Sequence, residues 1–211
     1  MNIEAVIFDF DGTLVNSSEF VISHITDTCK IMGVKIPQRS EIFKILKLNL
    51  SFEEIFERLF GKPLDEQILT KYRETAYERG FQPINGAILF VQKLAEQKIP
   101  LIIATNRIKM LEFRLTQAGF KREWFYALSE LEFKKPDPKA FYPLIKVIEN
   151  LGVERNGIYF FGDHIDDFVS CPPYLKDNFL ALTTGITSRE EFLSVGVDKK
   201  NIFSDYTQIK I

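Results

Sequence analysis

Short apolar runs separated by stretches of helical periodicity organise most of this chain. Residues 3–8, Ile-Glu-Ala-Val-Ile-Phe, are rich in β-branched and aromatic side chains and run out before Gly12, which predicts a largely buried strand. Runs of the same kind recur at 99–104, 126–128, 157–161 and 178–182. Between them, Ile88, Val91, Leu94 and Ala95 fall on one helical face, and Met110, Leu111, Leu115 and Ala118 fall on another that Gly119 stops. Phe141, Leu144, Ile145, Ile148 and Leu151 predict a third helix, opened by Asp137 as N-cap with Pro138 at its first position. Strands alternating with helices predict an α/β fold with a doubly wound parallel sheet.

Residues 15–82 break the alternation, with no convincing strand and helical periodicity almost throughout. Helices are predicted over about 18–32 and 65–79. Between them, Ser51-Phe52-Glu53-Glu54 forms a capping box ahead of Ile55, Phe56, Leu59 and Phe60, and Gly61 and Pro63 close that helix. Polar segments at 16–18 and 80–86 are the expected hinges. The organisation expected is therefore an α/β core over 1–14 and 83–211, with an inserted α-helical domain over 15–82. The chain carries no internal repeat and no low-complexity tract.

Composition narrows the partners. The 27 Lys and Arg against 29 Asp and Glu give a net charge of -2. With no Lys/Arg run longer than a pair, there is no electrostatic footprint for nucleic acid or an anionic membrane surface. The longest apolar stretches, 87–91 and 101–104, fall far short of the ~20 residues a membrane span needs. No basic segment precedes an apolar block at the N-terminus, so the expected location is the cytoplasm. Cys29 and Cys171 have no metal-ligand spacing to each other or to His24 and His164, and two buried free thiols suit that compartment better than a disulfide. Oligomeric state stays open between monomer and homodimer, because the 20 phenylalanines could fill a core or leave an apolar patch.

Candidate chemistry gathers where the apolar runs end, which is where open α/β sheets bind ligands. Asp9-Phe10-Asp11-Gly12-Thr13-Leu14 follows the first strand, Thr105-Asn106 the second, and Gly162-Asp163-His164-Ile165-Asp166-Asp167 the fourth. Lys134-Lys135-Pro136-Asp137-Pro138 precedes the fourth strand. Asp9, Asp11, Asp163 and Asp167 would crowd one sheet edge, where mutual repulsion calls for a cation. An all-oxygen donor set favours Mg²⁺ over Zn²⁺. Lys135 and the Thr105 hydroxyl could then meet phosphate oxygens, with Gly12 and Asn106 offering backbone N–H groups. The expected ligand is a phosphorylated small molecule.

These motifs, in this order, resemble those of the haloacid dehalogenase superfamily of hydrolases, and its phosphoglycolate phosphatase-like members in particular. Asp9 to Leu14 matches the first motif, Thr105-Asn106 the second, Lys135-Pro136 the third, and Gly162-Asp163 with Asp167 the fourth. The resemblance covers nearly the whole chain, since the insertion is similar to that family's helical cap. It implies that Asp9 is a nucleophile forming an aspartyl-phosphate, and that Asp11 is the general acid and base, its backbone carbonyl touching the metal. It implies phosphate binding by Thr105 and Lys135, and Mg²⁺ positioned by Asp163 and Asp167. Relatives named for dehalogenation lack an acid at the position of Asp11, so the resemblance implies phosphoryl transfer.

Some residues depart from the family pattern. His164 stands where relatives often carry a small hydroxyl residue and is expected to pack beside the loop. Asp166 is expected to be a solvated acid at a helix N-terminus, and Lys134 a surface charge. Asn49, in Leu48-Asn49-Leu50-Ser51, stands where a glycine is common, which bears on substrate preference; Asn tolerates a left-handed turn. The leading expectation is a Mg²⁺-dependent phosphatase acting on a small phosphorylated metabolite such as phosphoglycolate. The alternatives are a phosphomutase of the same fold, disfavoured by Gly162 where such relatives often carry Glu, and a non-catalytic phosphate-binding module.

Overall fold

The computed structural model describes residues 2–48, 50, 52–61, 63, 65–107 and 110–210. The chain divides into two compact units, Met1–Asn16 with Gln82–Ile211, and Ser17–Phe81. Strand β1 (Ala5–Phe8) opens the larger unit, and the chain then leaves it for helices α1 (Ser17–Met32), α2 (Arg39–Leu46), α3 (Phe52–Phe60) and α4 (Glu66–Glu78). The larger unit resumes with α5 (Ala87–Glu96), β2 (Leu101–Thr105), α6 (Leu111–Gln117), β3 (Ala127–Glu130) and α7 (Tyr142–Asn150). It ends with β4 (Ile158–Gly162), α8 (Ile165–Ser170), β5 (Phe179–Leu182), α9 (Arg189–Ser194) and β6 (Ile202–Phe203).

The strands form one sheet in the order β3-β2-β1-β4-β5-β6, with every pairing parallel. Strand β1 lies between β2 and β4, with Phe8 level with Ile103 on one side and Phe161 on the other. The chain first builds outward from β1 through β2 to β3, then crosses back to start the other half at β4. The order reverses beside β1, so the crevice beyond its carboxyl end is the expected ligand position. β1, β2 and β5 are buried along their whole length, the signature of a sheet covered on both faces.

Aromatic rings fill much of that cover. Phe160 packs between Phe141 and Phe179 at centroid distances of 4.7 and 5.4 Å, and Phe179 also meets Phe168 at 5.3 Å. Phe8 stacks on Phe161 at 5.2 Å, and Phe161 meets Phe90 at 5.3 Å. The helical unit has its own core of Ile25, Cys29, Ile42, Ile55 and Phe56, with Phe60 beside Phe56 at 5.4 Å. Arg79 joins Asp27 across that unit at 2.7 Å. Cys29 and Cys171 are buried free thiols, as the sequence led us to expect. Among the described residues, no helix is long and apolar enough to cross a membrane.

Three differences from the sequence expectation have physical causes. Strand β6 has two residues, too few to carry a pattern. Helix α2 was not predicted: it opens at Gln38, outside the usual capping residues, and the Glu41 carboxylate accepts the Gln38 N–H at 2.8 Å. The third predicted helix begins with a 3₁₀ turn at Pro138–Phe141, and α7 starts only at Tyr142. Pro143 has no N–H for the Lys139 carbonyl, so the Tyr142 N–H closes a tighter turn onto it instead. Asp137 does cap that turn, accepting the Lys139 N–H at 2.9 Å. Ser51 of the predicted capping box and Asn49 lie outside the described residues.

Candidate active site

Strand ends bring the separated polar clusters together. Asp9 directly follows β1, and its N–H donates to the Phe161 carbonyl at 2.8 Å, so it sits beside the end of β4. Thr105 is the last residue of β2, and Asp163 follows β4 directly. Oxygen atoms of Asp9, Asp163 and Asp167 lie within 4.8 Å of one another, all three side chains buried.

One cation joins two of these acids. The Lys135 Nζ donates to Asp9 Oδ1 and Asp167 Oδ1, each at 2.6 Å, and to the Ala104 carbonyl at 3.1 Å. Its backbone is fixed as well: the Asn106 amide donates to the Lys135 carbonyl at 2.9 Å and accepts the Lys135 N–H at 2.8 Å. Asn106 thus spends its side chain on aiming the lysine. Lys134, by contrast, is exposed, as expected.

Asp163 lies deep in the cluster. The Thr13 hydroxyl donates to its Oδ1 at 2.9 Å. A Cβ at Gly12 or at Gly185 would overlap the Asp163 carboxylate, so both positions require glycine. Gly12 also has φ +81 and gives its N–H to the Val15 carbonyl at 2.8 Å. The N–H expected to meet phosphate is engaged in the turn here, and the missing side chain of Gly12 makes room for Asp163. The Thr184 hydroxyl, from the loop after β5, donates to the Gly12 carbonyl at 2.5 Å and ties that turn down.

Asp167 serves three donors at once. Its Oδ2 accepts the N–H groups of Asp163 and His164 at 3.1 and 3.0 Å, closing the N-terminus of α8 while Oδ1 holds Lys135. His164 caps the same helix, its Nδ1 accepting the Asp166 N–H at 3.1 Å. A structural use of His164 was expected, and capping is the form it takes.

Burial sets the electrostatics. Removal from water pushes Asp9 up to about 7, with Asp167 adding to the rise while Lys135 opposes it. Asp163 is held well above the usual carboxylate range by burial first, then by Asp9 and Asp167. For Lys135, burial acts against the charge, but Asp167 and Asp9 outweigh it and keep the ammonium protonated above the usual lysine range. Three buried acids sharing one lysine are under-neutralised. Their all-oxygen donor set suits a hard divalent cation.

Asp11 stands apart from this trio. Arg107 grips it with two bonds, Nε to Oδ2 at 2.8 Å and Nη2 to Oδ1 at 2.6 Å. The guanidinium carbon lies 5.6 Å from the centre of the Phe10 ring. The Arg107 N–H donates to the Thr105 hydroxyl oxygen at 3.2 Å, leaving that hydroxyl its own proton to give. Arg107, Thr184 and Gly185 were missed from the sequence, and Thr13, quoted within the first motif, was given no role of its own. Of the three missed, Arg107 alone carried a signal, being a basic residue two positions beyond a strand-end threonine.

The chain is similar to known proteins in sequence and in fold. The family model for haloacid dehalogenase-like hydrolases matches residues 6–173. A pyrophosphatase PpaX from Halalkalibacterium halodurans is 28% identical over 174 residues, covering 80% of this chain and 79% of the relative. The structure of CbbY from Rhodobacter sphaeroides in complex with xylulose-(1,5)bisphosphate has a TM-score of 0.68 at 19% identity, covering 98% and 96% of the two chains. A predicted phosphoglycolate phosphatase from Haemophilus somnus has a TM-score of 0.69 at 19% identity, covering 99% and 96%. Both structures share the fold.

Proposed function

The chain belongs to the haloacid dehalogenase-like hydrolases, and we propose that it is a Mg²⁺-dependent phosphatase that hydrolyses a small, phosphoglycolate-like phosphomonoester through an aspartyl-phosphate on Asp9. The observation that carries this reading is the buried Asp9 at the end of β1, aimed by Lys135 and flanked by Asp163 and Asp167. Relatives named for pyrophosphate and phosphoglycolate support the choice of a small phosphorylated substrate. The helical unit is proposed as the cap, inserted over 15–82 into a core of 1–14 and 83–211, and the cytoplasm as the location.

The chemistry follows from the side chains. An Asp9 oxygen forms a bond to phosphorus as the bond to the leaving oxygen breaks, and Asp11 gives that oxygen its proton. Water then attacks the same phosphorus, Asp11 takes its proton, and the Asp9 carboxylate is released with inorganic phosphate. Lys135 and the Thr105 hydroxyl donate to the phosphoryl oxygens. Asp9 and Asp163 would hold Mg²⁺ directly, because both Asp167 oxygens already have partners. When bound, Mg²⁺ supplies positive charge that favours ionised Asp9 and offsets the charge of the substrate.

The test is phosphate release from phosphoglycolate with Mg²⁺. Asp9→Asn is expected to abolish it while the protein stays folded. Release at the wild-type rate in that variant would overturn the assignment.

A further inference from the structure

Arg107 has no part in the two-step chemistry above, yet it holds the group that chemistry needs. Both Asp11 oxygens accept from its guanidinium, at 2.6 and 2.8 Å. A carboxyl group that hydrogen-bonds a leaving oxygen sits about 3 Å from it, so the guanidinium lies within about 6 Å of that oxygen. A second anionic group one or two atoms beyond the leaving oxygen comes within hydrogen-bonding reach. Bidentate geometry that fits the Asp11 carboxylate fits a substrate carboxylate or phosphate equally well. Lys135 is not available for this, because it is buried between Asp9 and Asp167. Arg107 is only partly buried, with Phe10 beneath its guanidinium.

We infer that Arg107 determines specificity: it binds a second anion on the substrate's leaving group, carboxylate or phosphate, and exchanges Asp11 for that anion as substrate enters. This rests on the phosphatase reading above. In the resting site Arg107 holds Asp11 aside, and a substrate with a second anion both gains the guanidinium and frees the acid. A phosphomonoester with an uncharged leaving group gains neither.

The experiment compares phosphoglycolate, pyrophosphate and phenyl phosphate with the wild type, Arg107→Gln and Arg107→Lys, all in Mg²⁺. For Arg107→Gln, the ratio of kcat/KM on phosphoglycolate to that on phenyl phosphate is expected to fall about tenfold or more, chiefly through KM. Arg107→Lys should recover part of that loss, since it keeps the charge without the bidentate fork. A matching fall on pyrophosphate alone would identify phosphate as the second anion, and a fall on phosphoglycolate alone would identify carboxylate. Equal losses on all three substrates would overturn the inference and leave Arg107 acting only through Asp11. Calorimetric binding of phosphoglycolate and phenyl phosphate in an Asp9→Asn background reads the same discrimination without turnover. A wild type inactive on every substrate therefore refutes the phosphatase reading, while the binding ratio still decides the role of Arg107.

Discussion

Among the described residues of the candidate site, two cations, Lys135 and Arg107, hold carboxylates in ways that look alike on paper and differ in burial. Lys135 and its partners Asp9 and Asp167 keep only 4%, 9% and 2% of their side-chain surface exposed, whereas Arg107 and Asp11 keep 23% and 32%. In the first, charges stripped of water are held by short bonds to one another, and pKa values move far from their ordinary range. In the second, water and solutes reach both partners, so the pair exchanges at little cost. One contact is scaffold and the other is a latch, and the difference is legible only in the burial.

The sharpest way to break that comparison is to remove Lys135. Lys135→Met leaves Asp9 and Asp167 buried without their cation, and the metal-free protein should lose about 3 kcal/mol of stability in a denaturant titration. On the proposed chemistry, phosphate release should fall by a factor of about 10³, because a donor to the phosphoryl oxygens is gone. A loss below about 1 kcal/mol would mean that the buried contact is worth no more than an exposed one.

The next effect concerns the glycines around Asp163. Gly185→Ala sets a methyl group where the Asp163 carboxylate lies. Affinity for Mg²⁺, followed by calorimetry, is expected to weaken by about 10–100-fold, the usual consequence of displacing a ligand's supporting contacts. Gly196, with nothing near its Cβ position, is the control, although its φ of +97 means that Asn suits it better than Ala.

A pH titration of the metal-free protein probes the buried carboxylates of the Lys135 cluster. Asp9 rises from 3.8 to about 7 on folding, so between these values the folded chain binds the proton more tightly than the unfolded chain does. Stability should therefore decrease as pH climbs from about 4 to about 7, by on the order of a few kcal/mol, with the raised Asp163 acting in the same direction. Saturating Mg²⁺ should flatten or reverse this slope, because the cation favours the ionised carboxylates. A metal-free protein that gains stability across the same window would contradict the burial argument.

Sequence alone exposed the scaffold better than the latch, for physical reasons. Asp9 and Asp163 directly follow apolar runs at strand ends, where charge has no local justification, and Lys135 stood out as the lysine of the Lys-Pro pair matching the third motif. The sheet then brings together residues about 130–150 positions apart, as parallel strand order requires. Gly185 and Thr184 carried no such mark, because their meaning arises only when β5 packs beside β4 and its loop reaches the Gly12 turn. Asn106 was visible as a polar residue after β2. Its amide proved to clamp the Lys135 backbone, a pairing that spacing does not encode. Helix α2 and strand β6 escaped notice for lack of length and of a usual cap.

The smallest expected effect tests the latch itself. If the Arg107–Asp11 pair is exchangeable, Arg107→Gln should change the unfolding free energy by less than about 1 kcal/mol, since partly exposed ion pairs return little net energy. Asp11→Asn should cost as little, and the double variant should show a coupling energy below about 1 kcal/mol in a double-mutant cycle. The same cycle on Lys135 and Asp167 should give a coupling several times larger, because removing either partner strands a buried charge. A large coupling between Arg107 and Asp11 would make that pair a second scaffold, and Asp11 would then not be released by an incoming anion. A small coupling together with altered substrate discrimination requires the guanidinium to spend its binding energy on the substrate.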